Sequence, residues 1–410
     1  MSTTKRISID EVTPGMFILD VNLPWYRTPF LFHSRVIEDL KAIQQMKDHG
    51  ITTVMIDTSK GRDVADVTND PVRPSTPAEP AADTSAQQLQ PQTSAEAVYS
   101  EAHEAVDRIF ADLERGLPPT PAKTKAIVER VLAHVLDRPD TMIAQGIIQK
   151  MRDFDRSLAA HALDVCILAL VVAVEQGVDP ALYDHVGAGA LLHDVGYVRL
   201  PRNLVRKRSD CTEPERRLLQ KHPQLGVSLL REHTAFPEDV LRIVQEHHEY
   251  ANGSGYPSGI SATSLSPLAQ LVGIVNFYDS LVCRRGGRPA MNPHDAIRQL
   301  FLAGEQQLYA KSLVETVIRS IGVYPVGSLV RLNTGEQAIV VGANPTQRLK
   351  PQVRIIGGPQ GESYTNPERI DLAMPGQYGV TRTILRVLDP MQERVNVSLY
   401  LSDVANRLAS

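Results

Sequence analysis

Cysteine is scarce in this chain of 410 residues: Cys166, Cys211 and Cys283 stand far apart and without paired spacing. That excludes a disulfide framework and a thiolate metal site, and it places the thiols in a reducing, cytoplasmic setting. Long apolar runs are lacking as well. The longest, Val165 to Val174, falls short of the roughly 20 residues that a bilayer crossing requires, and Met1 to Lys5 open no apolar signal core, so neither a membrane span nor a targeting segment is expected. An excess of charge of one sign is also missing. The 43 basic and 47 acidic residues leave a net charge of −4 with the signs interspersed, which removes the electrostatic basis for binding a nucleic acid polymer. Histidine makes up only 12 of the 410 residues, so the places where it gathers carry information. The length is that of two or three domains.

His161, the dyad His193-Asp194, His222 and the run His247-His248-Glu249 fall within one helical region, followed closely by Gly255-Tyr256-Pro257. Any one of them alone is an ordinary packing or surface residue. Together they have the composition of a metal cluster. Adjacent histidines on a helix point about 100° apart, so His247 and His248 reach one ion only near a helix end, where the Asn252-Gly253-Ser254-Gly255 turn bends the chain. His193-Asp194 follows the apolar run Ala188-Gly189-Ala190-Leu191-Leu192 and precedes Gly196, which puts a carboxylate at the buried end of a helix. There it needs a cation or several hydrogen bonds. Imidazole and carboxylate donors suit iron, manganese, zinc or nickel. One aspartate can bridge two ions about 3.5–4 Å apart, the spacing at which a pair of cations polarises a phosphate. The pattern points to metal-assisted hydrolysis.

Taken in order, His161, Leu191-Leu192-His193-Asp194-Val195-Gly196, His222-Pro223 with Gly226, and His247-His248-Glu249 with Gly253-Ser254-Gly255-Tyr256-Pro257 and Gly259 resemble the HD-GYP family. These are bacterial phosphodiesterases that hydrolyse cyclic di-GMP. The resemblance covers roughly residues 150 to 320 and takes in Val275-Asn276-Phe277-Tyr278-Asp279-Ser280-Leu281 with Arg285 and Arg288. It implies that His161, His193 and Asp194 ligate one metal, with Asn276 where the family has an aspartate. It further implies that Asp194, the residue on which catalysis would turn, bridges to a second metal held by His222, His247 and His248. Arg285 and Arg288 stand where the family grips substrate phosphates, a task that suits the guanidinium fork. Tyr256 stands at the motif tyrosine near the substrate, with a simple turn residue as its alternative. The implied cofactors are two divalent transition metals, iron or manganese foremost, with nickel or zinc as alternatives; the implied substrate is cyclic di-GMP, cut to linear pGpG and possibly then GMP.

The chain departs from the family at four positions: Ser157 for a glutamate that serves a third metal, Asn276 for an aspartate, Tyr197 for a lysine and Asn252 for an aspartate. A dinuclear centre with a weaker first site is therefore expected. Two alternatives to an active enzyme stay open: a cyclic-dinucleotide sensor with slowed chemistry, and a helical docking scaffold.

The expected fold is mainly α: a helical HD-superfamily bundle with a small α+β amino-terminal domain and a small β-rich carboxy-terminal module. Residues 1–63 form the α+β domain, with strands in Ile7 to Leu19 and Ile51 to Ile56 and a helix over Ser34 to His49, whose Val36, Leu40, Ile43 and Met46 have helical spacing. This segment resembles a domain of unknown role fused in front of HD-GYP modules, which would offer a regulatory or docking surface to a protein partner. Residues 64–96, rich in Pro, Ala, Thr, Ser and Gln, read as a disordered linker. Residues 97–322 form the helical catalytic domain, with helices over Ala97 to Leu113, Pro121 to Leu136, Met142 to Met151 and Phe154 to Gln176. His185 and His233 match no ligand position and read as packing or surface residues. Residues 323–410 form the β-rich module, with strands in Val326 to Asn333, Gln337 to Gly342, Gln352 to Ile356 and Gly379 to Val387. Val395 to Arg407 closes the chain as a strand and then a helix.

Overall fold

The computed structural model describes residues 4–21, 35–37, 40–48, 51–62, 94–152, 157–207, 211–233, 235–283, 290–344, 347–374 and 381–401. Two units gather around separate cores, Met1–Gln92 with Pro390–Leu399, and Thr93–Asp389 with Tyr400–Ser410. In the first, β1 (Thr4–Ser8), β2 (Phe17–Val21), β3 (Arg35–Val36), α1 (Leu40–Asp48) and β4 (Thr53–Asp57) build an antiparallel sheet of order β1-β4-β2-β3. Met16, Ile18, Ile37, Met46, Ile51, Val54 and Ile56 fill its core. A single 3-10 turn at Ile9–Glu11, closed by reciprocal bonds between Ser8 and Glu11, separates β1 from β2. The helix expected from Ser34 starts later, at Leu40, because Val36 pairs with Phe17 in β3. A β-branched residue one helical turn before Leu40 fits either reading of the spacing. Of the expected linker over 64–96, residues 64–93 lie outside the described residues; its end differs, because Ser94 caps α2, its side chain accepting from the Ala97 amide, and 95–96 belong to that helix.

The second unit opens with α2 (Ala95–Glu114), α3 (Pro121–Asp137), α4 (Pro139–Arg152), α5 (Leu158–Gln176), α6 (Tyr183–Leu192), α7 (Arg202–Lys207), α8 (Glu213–Leu219), α9 (His222–His233), α10 (Glu238–Glu246), α11 (Pro267–Val282), α12 (Pro293–Glu305) and α13 (Lys311–Ile321). Helix α5 is the axle of this bundle, buried on every face from Ala159 to Ala173. Ser157 starts it by accepting from the Ala160 amide at 3.0 Å, and left-handed Gly177 ends it. Phe154, where the helix was expected to begin, lies outside the described residues. Among the described residues α5 is the one helix long and apolar enough to cross a membrane, and 83% of that apolar stretch is buried inside the protein. An all-round apolar helix of this kind is a core helix.

A five-stranded antiparallel sheet follows: β5 (Leu329–Leu332), β6 (Gln337–Gly342), β7 (Gln352–Gly357), β8 (Ser363–Asp371) and β9 (Ile384–Leu388), in the order β8-β7-β6-β5-β9. Strand β8 was not expected, because Pro367 interrupts its pattern. It is an edge strand, where a missing amide is tolerated. Residues 379–380 of the fourth expected strand and 402–407 of the expected terminal helix lie outside the described residues, and 395–397 form no strand; α14 (Pro390–Glu393) precedes them. The fold is mainly α, with a small α+β unit and a β sheet after the bundle.

Two glycines allow the bundle to close around its centre. A Cβ on Gly196 would sit 1.9 Å from the His222 carbonyl oxygen, and one on Gly273 would sit 2.6 Å from that of His247. Neither obstacle is a flexible side chain; both are backbone. Gly196→Ala is therefore expected to destabilise by about 1–3 kcal/mol or more, read by calorimetry as a midpoint several degrees lower. An unchanged midpoint would show that α9 does not lie so close.

Candidate metal centre

The ends of four helices and the flank of a fifth meet at one point. His161 lies in the first turn of α5, His193 caps α6 with Asp194 next to it, His222 opens α9, and His247 caps α10 with His248 following. Asn276 and Asp279 come from α11, three residues apart and both buried. The carboxyl ends of helices leave carbonyls without amide partners, and the imidazoles use them. Nδ1 of His193 lies 2.7 Å from the Ala190 carbonyl oxygen, that of His222 2.8 Å from Leu219, and that of His247 2.9 Å from Val244. A carbonyl only accepts, so each Nδ1 carries the proton and donates it. Each Nε2 is thereby left as a lone pair. His161 differs: its Nδ1 stands 2.7 Å from Asp279 Oδ2, and its Nε2 also faces an acceptor, the Asn276 amide oxygen.

The four Nε2 atoms converge. Nε2 of His222 and Nε2 of His247 are 3.2 Å apart, both rings buried. Nε2 of His161 lies 3.0 Å from Asn276 Oδ1, and Nε2 of His193, also buried, has no hydrogen-bond partner. Asp194 stands among them, with Oδ1 3.5, 3.4 and 3.8 Å from Nε2 of His193, His222 and His247, and Oδ2 3.8 Å from that of His161. Burial, and then the neighbouring histidines His248, His193 and His222, hold His247 well below its ordinary protonation range against the pull of Asp194. Unprotonated nitrogens and a carboxylate gathered in a dry site repel one another unless a cation lies between them. Two sets meet the requirement for ion binding: Asp194, His222, His247 and His248, and His161, His193 and Asp194, with donor atoms within 4.8 Å of one another in each. The buried cluster fits divalent metal ions, and Asp194 belongs to both sets.

Around the cluster lie residues to which the sequence reading gave no role. Lys150 Nζ is 2.7 Å from Asp279 Oδ1 and 3.2 Å from Asp164 Oδ2, and the Tyr99 hydroxyl donates to Asp164 Oδ1 at 2.8 Å. Burial pushes the Asp279 carboxyl up, but Lys150 and the hydrogen bond from His161 outweigh it and hold the group below the usual carboxylate range. The one sequence signal for Asp279 is its place three residues after Asn276 on an apolar helix. Glu249, also buried, accepts from the amides of Ser258, Gly259 and Ile260 at 2.6, 3.2 and 3.2 Å and so pins the loop that carries Tyr256. The Tyr256 ring stacks on His248 with centroids 4.5 Å apart, and Tyr197 stacks on His222 at 4.1 Å. Asn252 closes its own turn by accepting from the Ser254 amide and hydroxyl at 3.0 and 2.7 Å. Arg285 and Arg288 lie outside the described residues. His185 stays away from the cluster and pairs with Asp239 at 3.0 Å.

Comparison with known proteins covers most of the chain in three parts. A domain of unknown function, DUF3391, matches residues 4–124, an HD domain matches 132–312, and a KOW domain associated with HD domains matches 329–391. The chain is similar to the cyclic di-GMP phosphodiesterase PA4108 of Pseudomonas aeruginosa, 28% identical over 378 residues, 91% of this chain and 90% of that protein. It is also similar to the cyclic di-GMP phosphodiesterase PdeB of Borreliella burgdorferi, 21% identical over 196 residues, and spans about half of that relative (51%). Among solved structures, an HDG"Y"P protein of Bdellovibrio bacteriovorus, Bd1817, aligns over 77% of this chain and 98% of its own, with 16% identity and a TM-score of 0.44.

Two outcomes follow from the geometry. Asp279 fixes the tautomer of His161, so Asp279→Ala is expected to weaken metal binding about 10–100-fold, measured by competition with a chelating dye; unchanged affinity would remove Asp279 from this role. The depressed protonation of His247 sets a direction with pH. The unfolded chain takes up a proton near the ordinary value of 6.5, whereas the folded one resists it. Stability of the metal-free protein should therefore be full above that value and fall as the pH drops below it. Thermal melts whose midpoint rises on acidification from pH 7 to 5 would contradict this.

Proposed function

Residues 132–312 match an HD domain, and on that premise we propose that the histidine–aspartate cluster binds two divalent transition metals and hydrolyses cyclic di-GMP to linear pGpG, with GMP as the alternative end product. The observation that carries this reading is the approach of Nε2 of His222 to Nε2 of His247, 3.2 Å apart in a buried site, with the Nδ1 of each ring engaged by a backbone carbonyl. The names of the relatives from Pseudomonas and Borreliella support the substrate class. His161, His193, Asp194 and Asn276 would hold the first ion, and Asp194, His222, His247 and His248 the second. Iron or manganese suits a set of imidazole, amide and carboxylate donors without thiolate. Metals bound there supply Lewis acidity to the phosphodiester and lower the pKa of water.

The protein's own groups do the rest. Asp194 is the only carboxylate that both donor sets share; with Asn276 neutral, the ligands offset little of the cations' charge, which favours an anionic phosphodiester. Asp279 adds negative charge behind His161, and Lys150 tempers it. Tyr197 and Tyr256, half-buried against His222 and His248, fix those rings and offer flat faces to a purine. Arg285 and Arg288 would grip the non-bridging phosphate oxygens. The front domain would receive a protein partner, and the free cysteines suit the reducing cytoplasm. The neutral Asn276 and the tyrosine at 197 favour one second reading, a cyclic-dinucleotide sensor with slowed turnover. A docking scaffold would leave the converging lone pairs without a purpose.

The test is chromatography of cyclic di-GMP incubated with purified enzyme, alongside metal analysis. Asp194→Ala should abolish hydrolysis and most metal binding, while His185→Ala leaves both near wild type. Asn276→Asp should tighten the weaker site and raise the rate at limiting metal, since a carboxylate adds charge-assisted coordination. Turnover in Asp194→Ala equal to wild type would refute the dinuclear reading, and binding without turnover in the wild type would leave the sensor.

A further inference from the structure

A cleft of about 250 Å³ opens where the far end of α5 meets α13 and the loop between β6 and β7. Helix geometry puts Glu175, on its wall, about 21 Å along α5 from His161, so the cleft is separate from the metal cluster. One side is apolar: Leu136, Ile143, Val171 and Val174 line it, and Leu136 and Val174 are exposed. The other side carries two guanidiniums from different elements, Arg319 and Arg348. Arg319 is anchored by donating from Nη2 to the Thr316 hydroxyl at 2.7 Å, and Arg348 by donating from Nη1 to the Arg319 carbonyl at 2.9 Å. What remains of both forks faces one carboxylate oxygen, Oε1 of Glu175, at 3.6 Å from each.

That distance is beyond hydrogen-bond reach, and all three side chains are more than a third exposed. Glu175 therefore gives the arginines a weak, screened partner. An anion seated between the forks would gain paired charge-assisted bonds that Glu175 does not make, and an apolar body attached to it would cover Val171 and Val174. Asp140 is the other acid in the lining; burial pushes its carboxyl up against the pull of Arg369.

We propose that this cleft is a second ligand site, distinct from the metal centre, for a small organic anion that carries a carboxylate or phosphate on an apolar body. The proposal stands independently of the hydrolysis reading.

The full-length, metal-loaded protein is titrated with the aromatic sulfonate dye 8-anilinonaphthalene-1-sulfonate, followed by fluorescence, and the bound dye is then displaced with phenyl phosphate, benzoate or neutral phenol. One saturable site is expected. Arg319→Gln and Arg348→Gln should each weaken it about tenfold, and Glu175→Gln should tighten it, because the arginines lose their internal counter-charge. Val174→Glu, at an exposed position that leaves the anchoring bonds alone, should abolish binding with melting midpoint and metal content unchanged. Displacement by either aromatic anion with phenol inert supports the site, and the anion effective at the lower concentration assigns the headgroup. Absence of saturable binding, affinity unaffected by the arginine and Val174 changes, or displacement by phenol as readily as by the anions would overturn it.

Discussion

Imidazoles whose Nδ1 protons are committed to backbone carbonyls turn their Nε2 atoms toward one another in a dry interior, and the architecture around the centre is arranged to hold them together all the same. Helices α6 and α10 stop where their last free carbonyls can accept from His193 and His247, and α8 ends so that Leu219 does the same for His222. The glycines at 196 and 273 let those ends approach backbone to backbone. A cation between these donors would turn the same repulsions into coordination, and its binding energy would then add to the stability of the bundle.

Behind the histidines, a network of charged groups compensates for the neutral amide at Asn276. Asp279 bonds to His161 from behind, Lys150 pairs with Asp279 and Asp164, and Tyr99 on α2 closes the network through Asp164. The two carboxylates are buried and both pair with the part-buried Lys150, as a dry interior demands. Removing Lys150 alone would leave two carboxylates facing each other, which is far more damaging than removing the whole network. Through Tyr99, the first helix of the bundle thus touches the chain of contacts that leads to His161.

The candidate ligands were legible in the sequence because histidine is rare and all but His161 stand at a punctuation point: before Gly196, beside Pro223, or ahead of the Gly-rich turn after Glu249. The bundle was legible from apolar spacing, and Gly177 marked the end of α5. What stayed hidden has physical causes. Asp279 and Lys150 belong to the centre only through contacts across more than a hundred residues, 118 between His161 and Asp279, and nothing local distinguishes a buried paired lysine from a solvated one. Glu249 was quoted as part of a motif, yet its bonds to three amides depend on a loop conformation that spacing does not encode. Pro367 concealed β8 because an edge strand tolerates what a central strand would reject, and Val36 fitted a helix and a strand equally.

Anomalous diffraction at the iron and manganese edges, from crystals of the protein grown with either metal, addresses the central claim most directly. The account predicts two peaks, one bounded by His222, His247, His248 and Asp194 and a weaker one bounded by His161, His193, Asp194 and Asn276. Density that shows no metal at Asp194, with the His222 and His247 rings turned so that a nitrogen of one donates a proton to the other, would contradict it.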